Sequence, residues 1–129
     1  MQSSTLDTDA PPRRVLVVDD DCGMTALCRR VLGLTGKFLV KEENDPLQAV
    51  ETARAFRPHL ILLDRKLPRK DGATIAAELS LDEKLQSVPI VFVTGQVECG
   101  SMVDGHRVLL KPFRSEALIR MCTELALAE

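Results

Sequence analysis

Short apolar runs alternate along this chain with segments whose apolar residues recur every three to four positions. The run RVLVVD (14–19) has the length and β-branched content of a strand apolar on both faces, as in a parallel sheet covered by helices. Met24, Leu27, Cys28, Val31 and Leu34 then mark a helix that Gly36 can end. FLVKE (38–42) reads as a second strand. Asp45-Pro46 supplies an N-cap and a first-turn proline for a second helix, with Leu47, Val50, Ala53 and Phe56 as its inward stripe and Pro58 as its stop. HLILLD (59–64) is a third strand, followed by a turn at Leu67-Pro68 and a helix after Asp71-Gly72 that carries Ile75, Ala76 and Leu79 on one side. VPIVFVT (88–94) and RVLLK (107–111) complete the strands, and a last helix from about Ser115 buries Leu118, Met121, Cys122 and Leu125.

Five strands alternating with helices require parallel pairing through right-handed crossovers, hence a doubly wound α/β sheet. Residues 1–12 are polar, lack periodicity and end in Ala-Pro-Pro, so a disordered leader is expected before a folded unit over 13–129. Only the 16 residues 95–110 separate Thr94 from Lys111, near the minimum for a crossover, and they include Gly95, Gly100 and Gly105. The fourth helix is therefore expected to be short or irregular, at most a turn or two around Val97 to Val103, and mobile.

Composition narrows the function. A chain of 129 residues, 45% of them apolar, supports one core and one domain. With 17 basic and 19 acidic residues and only Phe38, Phe56, Phe92 and Phe113 as aromatics, it has neither the basic excess nor the stacking platform of a nucleic-acid binder. No apolar run approaches the roughly 18 residues that span a bilayer, and the N-terminus lacks a signal-peptide core, so no membrane partner and a cytoplasmic location are expected. Cys22, Cys28, Cys99 and Cys122 show neither zinc spacing nor disulfide density and read as reduced thiols.

The candidate chemistry lies at the carboxyl ends of the strands, where ligands bind in such sheets. Strand one ends on Asp19-Asp20-Asp21, strand three on Asp64, strand four on Thr94-Gly95 and strand five on Lys111-Pro112. Clustered carboxylates need a proton, a lysine or a cation to offset their repulsion, and hard oxygen donors that leave room for water suit Mg2+. With a cation bound, Asp64 becomes a nucleophile towards phosphorus, and Thr94 and Lys111 stand where a hydroxyl and an ammonium bind the transferred oxygens. Asp21 extends the acid cluster without binding metal directly, and Asp71 reads as a helix cap.

The motifs DDD after VLVV, LLDRKLPRKDG, VFVTG and LLKPF, in that order over about residues 13–127, resemble the receiver domain of two-component response regulators. The resemblance implies a flavodoxin-like fold with strand order 2-1-3-4-5, in which Asp64 accepts a phosphoryl group from a histidine kinase or histidine phosphotransfer protein. It further implies that Asp19, Asp20, Asp64 and the backbone carbonyl of Lys66 hold Mg2+, that Thr94 and Lys111 contact the phosphoryl group, and that the Lys111-Pro112 bond is cis. Such a domain is a phosphoacceptor switch rather than an enzyme acting on an external substrate, although it catalyses its own phosphoryl transfer and hydrolysis. No DNA-binding or catalytic domain is expected after Glu129, so the signal is expected to leave by contact with another protein, a phosphotransfer protein in a relay or a direct downstream target.

Three features depart from the family pattern. Val108 occupies a position usually held by an aromatic that moves with the strand-four hydroxyl, and the short crossover implies a differently built output face. Arg65, Lys66, Arg69 and Lys70 form a basic cluster in which Arg69 and Lys70 read as solvated charges. Lys66, two residues beyond Asp64 on a near-extended chain, projects to the same side and either shields the phosphoryl group or pairs with Asp19 or Asp20 in competition with Mg2+. His59 and His106 read as isolated surface residues at the opposite edge of the sheet.

The alternative function is a degenerate receiver that acts as a phosphorylation-independent interaction module. A haloacid-dehalogenase-type phosphatase fits less well, because the second acid that it needs two residues after the nucleophile is Lys66 here. A flavodoxin fits less well still, lacking a hydroxyl-rich first loop and stacking aromatics.

Overall fold

The computed structural model describes residues 10–95, 102–103 and 105–127. Strands β1 (Arg13–Val18), β2 (Phe38–Glu43), β3 (Leu60–Asp64), β4 (Ile90–Thr94), β5 (Met102–Val103) and β6 (His106–Leu110) form one sheet in the order β2-β1-β3-β4-β6-β5. The first five strands of that order pair in parallel, as the alternation of strand and helix requires, in the same winding as the expected 2-1-3-4-5. The helices are α1 (Cys22–Gly33), α2 (Ala49–Phe56), α3 (Gly72–Ser80) and α4 (Ser115–Ala126), with a short 3-10 turn at Pro46–Gln48 before α2.

Side chains alternate across the sheet and sort into two cores. Val15, Val17, Leu60, Leu62, Val91, Val93 and Leu109 pack with Cys28 and Leu32 of α1 and Leu118, Cys122 and Ala126 of α4. Leu16, Val18, Ile61, Leu63, Ile90 and Phe92 pack with Ala49 and Ala53 of α2 and Ile75, Ala76 and Leu79 of α3. β3 and β4 are buried along their whole length, which explains why their sequences are continuous apolar runs. Cys22, Cys28 and Cys122 are free thiols, and burial pushes the latter two up to about 11 and about 12, so both stay protonated.

Several local expectations need correction. α1 buries Thr25, Cys28 and Leu32, leaving Leu27 42% and Leu34 82% exposed, because the helix presents the face containing Thr25 to β2. Asp45 caps the 3-10 turn rather than α2 itself, which leaves Leu47 48% exposed. His59 is not isolated: its Nδ1 accepts the Arg14 backbone N–H at 2.9 Å, and burial, followed by the charge of Arg14, lowers its pKa and favours the neutral acceptor form. His106 packs edge-on against Phe92 at 5.5 Å between ring centroids.

The expected fourth helix falls mostly on 96–101 and 104, outside the described residues. Its end is corrected, because Met102 and Val103 form an antiparallel strand with Arg107 and His106. Gly105, just before the second strand of this pair, has φ +83°. The expected leader at 1–12 also lies largely outside the described residues, of which Ala10, Pro11 and Pro12 are exposed.

Candidate phosphoacceptor site

The acids of β1 and β3 are held by the same local device. Asp19 Oδ1 accepts the Asp21 backbone N–H at 2.9 Å, and Asp64 Oδ1 accepts the Lys66 N–H at 3.1 Å. Each carboxylate thus closes a turn with the residue two positions on, the habit of aspartate at strand ends. The Asp64 turn corrects the expectation that Lys66 continues on an extended chain. The remaining oxygens converge on one amine: Lys111 Nζ stands 3.0 Å from Asp19 Oδ2 and 3.6 Å from Asp64 Oδ2. Asp19, one of the two acids considered for Lys66, is paired with Lys111.

Continuing each strand's alternation, Asp19, Asp64 and Lys111 fall on the α1/α4 side, while Thr94 follows Ile90 and Phe92 on the other. Thr94 is buried at the end of β4, and its carbonyl accepts the Lys111 N–H at 2.9 Å. The Lys111-Pro112 bond at the next residue is cis, as the resemblance implies. Asp20 is exposed beside the pair, and one carboxylate oxygen from each of Asp19, Asp20 and Asp64 lies within 4.8 Å of the others. Three hard oxygen donors, one of them open to solvent, suit a small divalent cation that keeps part of its water. Asp21 is not among them: its Oδ1 accepts from Gly23 and Met24 and caps α1.

The electrostatics follow from burial. Asp64 is only 7% exposed, and that burial together with the neighbouring charge of Asp19 raises its pKa, opposed in part by the Lys66 amide and Lys111. Burial works against the Lys111 ammonium, but its hydrogen bond and charge contacts with Asp19 and Asp64 outweigh it and hold the pKa above the ordinary lysine value. In the described structure, the lysine occupies the role that a cation would share.

Two further residues, Asn44 and Gly72, support the backbone behind the acids. Asn44 Nδ2 donates to the Asp19 carbonyl at 2.7 Å and to Thr25 Oγ1 at 3.0 Å, and the fully buried Thr25 hydroxyl donates to Glu42 Oε1 at 2.8 Å. The Asp19 N–H is bound by the Glu43 carbonyl, so the turn bearing the first acids is tied both to β2 and to the residue that follows it. Gly72 opens α3 directly beneath Asp64; a Cβ there would lie 2.3 Å from the Asp64 carbonyl oxygen and 2.8 Å from Arg65 Cα. Its N–H binds the Arg65 carbonyl at 2.9 Å, so the helix start and the strand end touch through backbone alone. Asp71 caps that helix as expected, accepting from Thr74 N–H.

Comparison with known proteins agrees with this architecture. Residues 15–123 match the family model described as the response regulator receiver domain. The chain is 34% identical over 125 residues to the transcriptional regulatory protein PdtaR of Mycobacterium tuberculosis, covering 92% of this chain and 60% of that protein. It is 33% identical over 116 residues to the DNA-binding response regulator MtrA of Mycobacterium bovis, covering 86% and 49%. The chain thus spans about half to three-fifths of these relatives. Among solved structures, the chemotaxis protein CheY4 of Vibrio cholerae superposes with TM-score 0.81 at 22% identity, over 89% of this chain and 99% of that one. The receiver domain of sensor histidine kinase PA1611 from Pseudomonas aeruginosa, described with a magnesium ion in its active-site cleft, gives TM-score 0.81 at 26% identity over 92% and 100%. Strand order, the acids at the ends of β1 and β3, the lysine after β6 and the family match agree, and the chain belongs to the response regulator receiver family.

Proposed function

We propose that the receiver unit over residues 13–129 is a phosphoacceptor switch in which Asp64 takes a phosphoryl group from phosphohistidine on a histidine kinase or histidine phosphotransfer protein. The observation that carries this reading is the pairing of each buried acid with the residue two positions on through Oδ1 while its Oδ2 faces Lys111. That arrangement leaves Asp64 Oδ2 as the atom to attack phosphorus. The oxygen–phosphorus bond forms as the phosphorus–nitrogen bond breaks, the imidazole leaves, and the product is an acyl phosphate. Attack by water later reverses the modification.

Asp19, Asp20 and Asp64, with the carbonyl of Lys66, are the residues that would hold Mg2+, and their all-oxygen chemistry fits it. Bound there, Mg2+ supplies charge neutralisation for the transferring phosphoryl oxygens. Lys111 contributes a second positive charge at the same place, and Thr94 contributes a hydroxyl at the end of the adjoining strand. The Asn44 contact fixes the backbone behind Asp19, and Gly72 fixes that behind Asp64. The signal passes to a downstream protein by surface contact, in a Mg2+-dependent, cytoplasmic role that involves neither direct nucleic-acid binding nor the membrane. Among the described residues no helix is long and apolar enough to cross a bilayer.

Titration with Mg2+ and fluoroberyllate, followed by amide NMR, tests this reading. Mg2+-dependent shifts at Asp19, Asp64, Lys66 and Thr94 support it. Unmoved amides at those positions would favour the phosphorylation-independent interaction module instead.

A further inference from the structure

Arg69 and Lys70, expected as solvated charges, are both engaged. Lys70 Nζ lies 2.6 Å from Glu78 Oε1 on α3, and Arg69 Nη2 donates to Asp45 Oδ1 at 3.0 Å. Arg69 has φ +68°, one of two non-glycine residues with positive φ among those described. The Lys70 N–H closes back on the Pro68 carbonyl at 2.7 Å, making a three-residue turn in the hand that is rare and strained. An arginine in this backbone region persists only where its surroundings hold it.

The holding contact reaches a fixed point. Asp45 Oδ1 also accepts the Leu47 N–H at 3.0 Å, and the Asp45 N–H binds Glu43 Oε2 at 3.0 Å. In the order β2-β1-β3, the loops after β2 and β3 flank the loop after β1, so the Arg69–Asp45 pair bridges past the segment bearing Asp19 and Asp20. On the Asp64 side, Leu67 is sunk in the core and the Arg65 carbonyl is held by Gly72. Between these anchors lies Lys66, whose N–H binds Asp64.

We infer that Arg69 is a positioning residue: its ion pair with Asp45 holds the strained turn at 68–70 and thereby presets the bend that presents Lys66 to Asp64. The inference rests on the magnesium-binding role proposed above for this loop. An exposed ion pair in isolation contributes little. Here it opposes a backbone penalty that glycine would not incur, so the two contributions can be separated by substitution.

The test compares the full chain with Arg69→Ala, Arg69→Gly, Asp45→Asn and the Arg69→Ala/Asp45→Asn double variant, by amide NMR without metal and during Mg2+ titration. Asn at 45 keeps a capping acceptor and removes the charge. The Lys66 amide is expected to move in Arg69→Ala before metal is added. Mg2+ affinity is expected to fall roughly three- to fivefold in each single charge variant, the size one exposed pair carries. The double variant should lose no more than either, and Arg69→Gly should recover part of the loss. A Lys66 amide unmoved in Arg69→Ala, parental Mg2+ affinity in that variant, or additive losses in the double variant would each overturn the inference. A parent chain that itself fails to bind Mg2+ overturns the proposed function instead, and the metal-free Lys66 amide still decides the role of Arg69.

Discussion

Lys111 Nζ lies 3.0 Å from Asp19 Oδ2 and 3.6 Å from Asp64 Oδ2, so one ammonium joins two acids that the sequence separates by 45 residues (64 − 19). Asp19 is 3% exposed, and removing the amine leaves its charge buried beside another carboxylate. Lys111→Met should therefore cost the metal-free protein about 2 kcal/mol, less than the loss of a fully buried pair because Lys111 is 25% exposed. Saturating Mg2+ should restore much of that loss, because a cation replaces the missing charge. Thermal unfolding with and without the metal measures both; a loss that Mg2+ leaves untouched would contradict the shared role.

The pH dependence of Asp64 has a definite sign. Its folded-state pKa is raised, first by burial and then by Asp19, so the folded chain binds more protons than the unfolded chain across that interval. Stability from this group is thus lost as pH rises from the ordinary aspartate range through the raised value. Asp64→Asn should remove that loss and raise the neutral-pH melting temperature of the metal-free protein. Unfolding curves across the acidic range check it, and an unchanged slope in Asp64→Asn would count against the assignment.

Gly72→Ala places a methyl group 2.3 Å from the Asp64 carbonyl oxygen, a contact that only backbone movement can relieve. Overpacking of this kind costs about 1–3 kcal/mol. Because the displaced atoms belong to the acceptor's own residue, Mg2+ affinity should fall together with the melting temperature. Calorimetry of both quantities distinguishes this from a purely local helix effect.

Asn44→Ala removes the donor to the Asp19 carbonyl and one partner of the buried Thr25 hydroxyl. A cost of about 1–3 kcal/mol is expected from the stranded acceptor. Hydrogen exchange should report faster opening of the turn at 19–21, and an unchanged rate there would show that the β2 backbone contact suffices alone.

How far the sequence could be read depended on whether burial or geometry set each feature. β3 and β4 were legible because strands covered on both faces must be apolar throughout, and the strand-end acids followed from the sheet's winding. The apolar spacing points the α1 face to Leu27 and Leu34, whereas Thr25 is buried through its bonds to Glu42 and Asn44, a cause that hydrophobic periodicity does not register. The strand at Met102–Val103 was not legible, because crossover length and the glycines allow a turn or two of helix there and neither reveals a pairing with Arg107 and His106. Gly72 acts through close approach to the Asp64 backbone and Asn44 through hydrogen bonds to Asp19 and Thr25, neither of which hydrophobic periodicity registers.

The most direct test of the central claim is intact-mass measurement after incubation with a small phosphodonor such as phosphoramidate, with Mg2+ or with a chelator, for the parent chain and Asp64→Asn. The parent should gain the mass of a single phosphoryl group only with Mg2+, and Asp64→Asn should gain none. A parent chain that stays unlabelled with Mg2+ present, or an Asp64→Asn chain labelled to the same extent, would contradict it.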